Sequence, residues 1–342
     1  MKHKRLGRSP IFVSQLCLGT MTFGSFVSEE ESFRILDKAY DFGINFFDTA
    51  EIYPVPPDEK WVFRTEEILG KWFRTKPRDS IIIATKVSGP SHGWFVPPVR
   101  SGLTTLDQHH ITKAIEGSLK RLQTDYIDLY QIHWNDPRAD HEAYYYEILS
   151  SLTKLKEQGK IRIAGCSNET PWGLMKSLWV SDKYHLIRYE TIQNNYSILN
   201  RRFEDSLAEI SRKEQVSLLP YSPLAGGVTT GKYNQENPPE NARFSIYKNM
   251  GERQKRQVKK YINEKTLETV NRLKPIAEKL NISTTTLSIA WILQQDFVAS
   301  VIFGVTNSEQ LDEIFSATEI KLDKEILKEI DQISNDIMYP LG

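Results

Sequence analysis

The stretch Gly43-Ile44-Asn45-Phe46-Phe47-Asp48-Thr49-Ala50-Glu51-Ile52-Tyr53 carries an apolar, strand-like segment directly into ionisable side chains. Phe46 and Phe47 suit a buried strand, and a carboxylate at Asp48 in such surroundings is destabilising unless a cation pairs with it. The best candidate for that cation is Lys86, which ends the next apolar run along the chain. The sequence therefore predicts a buried ion pair between Asp48 and Lys86.

A third apolar run ends on His133, so three consecutive strand-like segments each have an ionisable residue at or near their C-terminal end. In a parallel barrel, the C-terminal ends of the strands form the rim that carries the active site. A single lysine or histidine at a strand end is more often solvated or hydrogen-bonded than catalytic. Their recurrence in strand order, together with Tyr53 just after Asp48, favours a catalytic cluster of Asp48, Tyr53, Lys86 and His133.

Apolar strand-like runs alternate with helix-period segments from Gln15 onward, which is typical of repeated β-α units in an α/β protein. The predicted strands span residues 15–19, 45–50, 81–87, 126–133, 161–167, 189–194, 216–221 and 298–303. Helix starts are predicted at the cap residues Ser28, Thr65 and Ser308, each followed by glutamate. Eight strands and eight helices fit a single (β/α)8 TIM barrel domain, residues 1–342, better than an open sheet.

Four segments depart from this alternation. Residues 4–13 contain a Gly-Arg-Ser-Pro turn between apolar residues, which predicts an N-terminal β-hairpin. Residues 88–106 and 225–257 form long loops after the third and seventh predicted strands, and residues 323–342 form a terminal helix and tail. Because long loops at the C-terminal ends of strands are usually lids or binding loops, we expect these two loops to cover the active site.

Charge and composition narrow the range of partners. The 342 residues contain 44 Lys and Arg against 44 Asp and Glu, so no basic excess indicates nucleic acid or an anionic membrane. No apolar run is long enough to cross a membrane, and the N-terminus lacks a signal-peptide pattern. Cys17 and Cys166 lie in apolar runs and are predicted to be reduced, as in a cytoplasmic protein. A small-molecule partner is therefore expected, while the oligomeric state is left open.

Other motifs were weighed and are disfavoured. Residues 226–232 match a phosphate-binding loop up to its last position, where Tyr233 replaces the hydroxyl residue that holds magnesium. Nucleotide hydrolysis is therefore not expected, although Lys232 remains a candidate phosphate contact. No glycine fingerprint of short-chain dehydrogenases follows the first strand. The histidines at 109–110 and 141 lack partners at ligand spacing, so no metal site is predicted, which also disfavours a barrel sugar isomerase.

Long, ordered segments of the chain resemble the aldo-keto reductases. They are residues 19–24, 43–53, 85–86, 119–133 and 165–168. The segments that follow Asp48, Lys86 and Ser167 look most like the bacterial Tas-type NADP(H)-dependent branch. This resemblance covers nearly the whole chain, and it implies a barrel that binds NADP(H) and reduces aldehyde or ketone carbonyls to alcohols.

The resemblance also implies the residues of the site. The catalytic group is Asp48, Tyr53, Lys86 and His133. The nicotinamide is expected to be held by Ser167, Asn168 and Gln193, with Tyr221 stacked on its ring. Further cofactor contacts are expected from Gly19, Thr20, Met21 and Asp48. The pyrophosphate is expected along Ser222, Pro223, Leu224 and Gly226, with Lys232 and Arg243 as cationic phosphate contacts. The adenosine end is expected at Gly304, Thr306, Gln310 and Glu313.

The adenosine end departs from the family pattern. Ile314 stands where an amide is often found beside the adenine, and residues 304–313 contain no Lys or Arg. Recognition of a 2′-phosphate, and so a preference for NADP over NAD, depends on Lys232 and Arg243.

The implied reaction is reversible hydride transfer between the nicotinamide and a carbonyl carbon. Tyr53 is expected to be the general acid, with a phenol pKa lowered by the neighbouring Lys86 charge. Asp48 is expected to keep Lys86 charged and aimed. His133 either orients the carbonyl oxygen or shares its proton.

Two questions stay open at the level of sequence. A cofactor-binding regulatory module, like the potassium-channel β subunits that share this fold, is the alternative function, and His133 favours the enzyme because those subunits carry an amide there. The aromatic residues Phe23, Trp94, Phe95 and Trp134 favour an apolar or aromatic carbonyl substrate, with ordinary packing beneath a loop as the alternative explanation.

Overall fold

Parallel strands joined by helices form the body of the protein. The computed structural model describes residues 1–90, 99–102, 104–136 and 141–341. The strands in this part of the chain are β1 His3–Arg5, β2 Phe12–Ser14, β3 Leu16–Gly19, β4 Phe46–Asp48, β5 Ile82–Val87, β6 Ile127–Ile132, β7 Ile161–Ser167, β8 Tyr189–Gln193, β9 Ser217–Leu218 and β10 Val301–Phe303. All eight predicted parallel strands are confirmed, and β9 is the shortest of them.

The eight parallel strands close on themselves. Their order in the sheet is β10-β3-β4-β5-β6-β7-β8-β9, so the chain's last strand pairs with the first of the barrel. Parallel bridges from Leu218 to Val298 and from Tyr221 to Ile302 connect the β9 side to β10. The Ile302 amide also donates to the Pro220 carbonyl over 2.9 Å. The predicted (β/α)8 barrel is therefore confirmed.

Helices cover the outside of the barrel and fill the longer connections. The described α-helices are α1 Glu29–Asp41, α2 Arg64–Phe73, α3 Gln108–Leu122, α4 Glu142–Glu157, α5 Pro171–Tyr184, α6 Leu207–Glu214, α7 Arg243–Tyr247, α8 Glu252–Tyr261, α9 Glu264–Lys279, α10 Thr284–Leu293, α11 Leu311–Ser316 and α12 Lys324–Asp336. They exceed the predicted eight because the connection from β9 to β10 alone contains α7 to α10. None of the described helices is both long and apolar enough to cross a membrane.

Side chains that alternate along the strands form two hydrophobic cores, one inside the barrel and one between the barrel and the helices. Phe46 packs with Ile82, Leu129 and Ile163 inside the barrel, whereas Phe47 packs against the surrounding helices. Since successive side chains of a strand point to opposite faces, the next inward position after Phe46 is Asp48. The same alternation leads from Ile82 through Ala84 to Lys86, and from Leu129 to Gln131, so polar groups follow the apolar interior at the C-terminal end.

The N-terminal hairpin closes the other end of the barrel. Strands β1 and β2 pair antiparallel with Lys4 opposite Val13, as the turn at residues 7–10 predicts. Leu6, Ile11 and Val13 are buried in the same cluster as the interior side chains of the barrel strands. The barrel interior is therefore covered at its N-terminal end, and its polar end is the C-terminal one.

Two of the three predicted helix caps are wrong. Ser28 caps α1 as predicted, accepting a hydrogen bond from the Glu31 amide. Thr65 instead lies inside α2, which begins after Phe63, and its hydroxyl donates to the Phe23 carbonyl over 2.8 Å. Near Ser308, the capping side chain is Asn307, which accepts from the Gln310 amide. The partner of Thr65 lies 42 positions away, where local sequence does not reveal it, whereas Asn307 is itself a favourable capping residue beside Ser308.

The two predicted long loops differ in how far they are described. Residues 225–257 are not wholly irregular. They contain two short 3-10 helices, Ala225–Thr230 and Lys232–Asn234, then α7, and they end inside α8. The loop at 88–106 is described at residues 88–90, 99–102 and 104–106. The predicted aromatic residues Trp94 and Phe95 lie outside the described residues.

Candidate active site

The buried ion pair predicted from the first stretch is present. The Lys86 ammonium lies 2.5 Å from Oδ1 of Asp48 and donates to the Thr49 carbonyl over 2.7 Å. Lys86 is 0% exposed and Asp48 is 2% exposed. Because β4 and β5 are neighbours with Asp48 opposite Ala84, the inward position two residues later brings Lys86 next to the carboxylate.

The second oxygen of Asp48 is held by amides from more distant strands. Gln193, at the end of β8, donates from Nε2 to Oδ2 of Asp48 over 2.8 Å, and Gln131 of β6 approaches the same oxygen at 3.4 Å. Both carboxylate oxygens are thus satisfied, as a buried charge requires. The pair is part of a network that spans the top of the barrel.

Tyr53 and His133 lie on the open side of this ion pair. The Tyr53 ring is 5.7 Å from the His133 ring, edge to face, and its centroid is 5.1 Å from the Lys86 ammonium. The expectation that Lys86 lowers the Tyr53 pKa is wrong: burial, and then the Asp48 carboxylate, raise that pKa above its ordinary value. The Lys86 charge is offset by Asp48 in contact with it. The phenol is therefore protonated at neutral pH.

His133 is held as a neutral ring. Burial, together with the Lys86 charge, lowers the His133 pKa well below its ordinary value. The ring stacks on Trp134 with centroids 3.5 Å apart, and its Nδ1 atom is buried with no hydrogen-bond partner among the described residues. An uncharged imidazole with an unpaired nitrogen suits a hydrogen bond to a ligand better than a structural role.

A cavity of about 1000 Å³ opens at the C-terminal end of the barrel. Three of the four predicted catalytic residues line it, and the fourth, Lys86, lies behind Asp48. Every predicted cofactor contact also lines it, namely Gly19, Thr20, Met21, Asp48, Ser167, Asn168, Gln193, Tyr221, Ser222, Pro223, Leu224, Gly226, Lys232, Arg243, Gly304, Thr306, Gln310 and Glu313. The volume is at the upper end for one small ligand, so a large cofactor with a small substrate fits better.

Hydrogen bonds fix the polar side chains near His133. The Asn168 amide donates to the His133 carbonyl over 3.0 Å and accepts from the Tyr221 hydroxyl over 2.7 Å. Ser167 donates to the carbonyl of Gln193 over 2.8 Å. Asn168 adopts a left-handed backbone with φ of 54°, which is unusual outside glycine and aims its side chain across the cavity. This group offers a flat ring both a stacking face and hydrogen bonds.

The loop after β9 combines glycines with two cations. Gly226 and Gly227 have φ values of 68° and 93°, and a Cβ at Gly226 would lie 2.7 Å from the Phe244 ring. Lys232 and Arg243 are near enough that the Arg243 charge, after burial, lowers the Lys232 pKa. Within the described residues, neither forms an ion pair with a carboxylate. Close backbone and paired cations suit a phosphate group.

The structure adds residues that the sequence reasoning missed. Glu169, Asn135 and Tyr145 line the same cavity beside His133. Glu169 could have been found by the rule that selected Asp48, because it lies two residues beyond the end of β7. By contrast, Phe23 is fully buried in the core between barrel and helices and is not part of the cavity wall.

Glu169 is expected to make the protein less stable as pH rises from 5 to 8. Burial, opposed by hydrogen bonds from Thr170, raises the Glu169 pKa to about 7. The folded protein therefore keeps a proton that the unfolded carboxyl, with a pKa near 4.3, releases, and its stability falls by about 2 to 3 kcal/mol over this range. Urea unfolding of the protein and of Glu169→Gln at both pH values measures this contribution, because other titrations cancel. Equal pH dependence in the two proteins would contradict it.

Comparison with known proteins agrees with this geometry. A model of the Aldo/keto reductase family matches residues 15–335. The chain is 37% identical to Protein tas of Escherichia coli (strain K12), with 99% of both chains covered. It is 35% identical to the uncharacterized oxidoreductase YrpG of Bacillus subtilis (strain 168), covering 97% and 96%. A probable voltage-gated potassium channel subunit beta of Oryza sativa subsp. japonica is 32% identical, covering 94% and 92%.

Proposed function

The chain belongs to the aldo/keto reductase family, and from that premise we propose an NADP(H)-dependent oxidoreductase that reduces aldehyde or ketone carbonyls to alcohols. The observation that carries the proposal is the pairing of a protonated phenol with a neutral imidazole on one cavity wall. Tyr53 and His133 lie 5.7 Å apart between ring centroids, with a buried lysine and carboxylate behind them. We further propose that the whole chain is one barrel domain acting in the cytoplasm.

Tyr53 acts as the general acid in this proposal. Its raised pKa keeps the proton on the phenol until an oxygen of higher basicity develops beside it. An alkoxide formed from a carbonyl is such an oxygen. The bound nicotinamide supplies the hydride to the carbonyl carbon.

Lys86 and Asp48 support the acid without touching the substrate. Because Lys86 is fixed 2.5 Å from Asp48 and bonded to the Thr49 carbonyl, its ammonium cannot swing into the cavity. It stays 5.1 Å from the centre of the Tyr53 ring, where its cation–π contact holds the ring in place and its charge partly offsets the repulsion between Asp48 and the phenolate left after proton transfer. Gln193 and Gln131 keep Asp48 in position for this role.

His133 orients the carbonyl oxygen. A ring kept neutral by burial offers one N–H donor and one acceptor, and it lies close to the phenol. A hydrogen bond from this ring to the substrate oxygen would align it with the Tyr53 hydroxyl. The Trp134 ring stacked on His133 fixes the imidazole plane and supports an apolar surface beside the carbonyl.

The cavity supports NADP(H) as the cofactor. Asn168, Ser167 and Gln193 would contact the nicotinamide end, with Tyr221 as the stacking ring. Lys232 and Arg243 would pair with phosphate oxygens. At the other end, Thr306 and Gln310, already hydrogen-bonded to each other, would contact the adenosine.

Consumption of NADPH tests the function directly. We expect the purified protein to oxidise NADPH in the presence of a panel of aldehydes and ketones, followed by the fall in absorbance of the reduced nicotinamide. Identification of the matching alcohols would establish the reaction. If the protein binds NADPH tightly but reduces no compound of a broad panel, the regulatory alternative is favoured.

The protein is expected to bind NADPH roughly 10- to 150-fold more tightly than NADH. Charge-assisted hydrogen bonds to a 2′-phosphate contribute on the order of 1.5 to 3 kcal/mol, and Lys232 and Arg243 are the candidate donors. Fluorescence titration with both cofactors measures the ratio. Arg243→Gln should reduce it, while Arg272→Gln on α9, which removes an exposed ion pair with Asp336 of α12, should not. Equal affinities in the unaltered protein would contradict NADP selectivity.

A regulatory subunit is the second candidate, supported by the similarity to a probable potassium channel subunit beta. Such a protein would bind the cofactor and a protein partner with slow turnover. His133 and its unpaired Nδ1 argue for catalysis, because an orienting imidazole would have little purpose without a reacting oxygen.

A further inference from the structure

A second buried ion pair lies behind the candidate active site. Glu51, two positions before Tyr53, is 2% exposed, and its two carboxylate oxygens accept hydrogen bonds of 2.7 and 2.6 Å from Nη1 of Arg100. The Arg100 side chain is 9% exposed. Neither residue borders the cavity, so neither can contact a ligand held there. Any effect of this pair on the chemistry must therefore act through its neighbours.

The pair holds the ends of two neighbouring strands together. The Ser88 amide donates to Oε1 of Glu51 over 2.6 Å, and the Ser88 carbonyl accepts from Nη2 of Arg100 over 2.7 Å. The Glu51 amide also donates to the Lys86 carbonyl over 3.3 Å. Because Ser88 directly follows β5 and Glu51 lies on the turn after β4, the pair joins the turn that carries Tyr53 to the strand that carries Lys86.

Ser88 is a fixed anchor for this pair. The carbonyl before it, that of Val87, accepts from the His133 amide over 3.0 Å. On its other side, a Cβ at Gly89 would lie 1.9 Å from the Trp134 carbonyl, so the backbone at Gly89 is in close contact with the segment that follows β6. Ser88 is therefore held on both sides, and its hydrogen bonds to the ion pair fix the turn that carries Tyr53.

The loop that carries Arg100 also packs against Tyr53 directly. Val99, the residue before Arg100, is fully buried and belongs to the same hydrophobic cluster as Ile52, Tyr53 and Val55. Val99 and Arg100 thus support Tyr53 in two ways, one through an apolar contact and the other through the ion pair with the Tyr53 turn.

The backbone at Arg100 is strained. Arg100 and Ser101 both adopt left-handed conformations, with φ of 47° and 55°. Such conformations are unfavourable for residues other than glycine, persist only where surrounding contacts impose them, and cluster at functional sites. The contacts of Arg100 with Glu51 and Ser88 impose this conformation here. An ion pair kept only for stability would lose part of its benefit to the strain, which favours a role in the site.

We propose that Glu51 and Arg100 are positioning residues for carbonyl reduction, and that they set the place of the Tyr53 hydroxyl relative to His133 and the substrate oxygen. The inference rests on the proposed function, because it takes Tyr53 as the general acid. A misplacement of about 1 Å between reacting groups can lower a rate by roughly 10² fold. Loss of either residue should therefore slow the chemical step without weakening cofactor binding, because neither residue borders the cavity.

Arg100→Gly is the main test, because glycine accepts a left-handed backbone and removes the side chain without adding strain. We expect the rate of the chemical step to fall by roughly 10- to 100-fold, measured in single turnovers with NADPH and an aldehyde that the unaltered protein reduces. The rate is expressed per NADPH-binding site. KM and NADPH affinity should change less than about threefold. Arg100→Lys, which keeps the charge but not the planar fork, should retain an intermediate rate.

A matched control separates positioning from stability. Arg78→Gln removes one partner of Asp128, a fully buried carboxylate at the N-terminal end of β6. This change should lower the unfolding temperature while the rate per site stays within twofold of the original. Equal slowing in Arg78→Gln and Arg100→Gly overturns the inference, and so does a rate within twofold of the original in Arg100→Gly.

A double-mutant cycle shows whether the two residues act as a unit. Glu51→Gln should also slow the chemical step, and the combined variant should be about as slow as the slower single variant. Losses that multiply in the combined variant overturn the joint role. If Arg100→Gly does not fold, Arg100→Lys takes its place in the cycle. Absence of any aldehyde reduction in the unaltered protein overturns the proposed function and the inference with it, whereas full rates in the folded variants overturn the inference alone.

Discussion

Replacing Tyr53 by phenylalanine is expected to lower turnover by roughly 10² to 10⁴ fold, which corresponds to about 3 to 5.5 kcal/mol of barrier. The change removes one oxygen atom and keeps a ring that packs against Ile52, Val55 and Val99. Folding and NADPH affinity should therefore change little. The loss arises because the neutral His133 ring is too weak an acid to protonate the alkoxide, and the Lys86 ammonium is held by Asp48 and the Thr49 carbonyl.

The measurement must report the chemical step. Single-turnover rates with NADPH and with its deuterated form at the transferred position show whether hydride transfer limits turnover. His133→Gln is the comparison variant and should be milder, because an amide can still hydrogen-bond the carbonyl oxygen. If Tyr53→Phe keeps the rate of the original protein while the isotope effect persists, Tyr53 is not the acid. His133 would then be the donor, and turnover should fall as pH rises through the lowered pKa of that ring, well below the ordinary histidine range.

Removing Lys86 is expected to damage the fold as well as the chemistry. Lys86→Met keeps a side chain of similar length but leaves the Asp48 carboxylate without its cation, in a site where both residues are almost inaccessible to solvent. Losing one member of a buried ion pair typically destabilises a protein by about 3 to 5 kcal/mol. The amides of Gln193 and Gln131 would still hydrogen-bond Asp48 but would not neutralise it.

A double-mutant cycle separates the two effects. Urea unfolding of Lys86→Met, Asp48→Asn and the combined variant should show that the combination is more stable than the sum of the single changes predicts. Turnover should remain low in all three, because the charge near Tyr53 is absent or misdirected. A stability change below about 1 kcal/mol in Lys86→Met would mean that Lys86 does not compensate Asp48.

Strand-level features were the most accessible to sequence reasoning. Asp48, Lys86 and His133 could be assigned to one end of the barrel because each stands at or near the C-terminal end of a predicted strand, and parallel strands end at the same rim. The ion pair followed because an inward carboxylate needs a cation. Neither the placement at the rim nor the ion pair depends on the conformation of the loops, and the structure contains both.

Features set by several elements at once were not predictable. The start of α2 depends on Phe63 adopting a left-handed backbone, and on Thr65 donating to a carbonyl at Phe23, far away in sequence. The Tyr53 pKa depends on how completely Asp48 offsets Lys86, which is a matter of distances. The rule that selected Asp48 also reaches Glu169, but the burial that raises the Glu169 pKa has no sequence pattern.

Closure of the barrel by β10 has a consequence for biosynthesis. The Ser300 hydroxyl donates to the Ser14 carbonyl, 286 positions earlier in the chain, and β10 completes hydrogen bonding along β3. At translation rates of about 5 to 20 residues per second, the edge of β3 waits roughly 15 to 60 s for its partner on the ribosome. During that time an apolar strand edge is open to other nascent chains. Expression yield should therefore depend on chaperones that bind this early segment more than on the stability of the finished barrel.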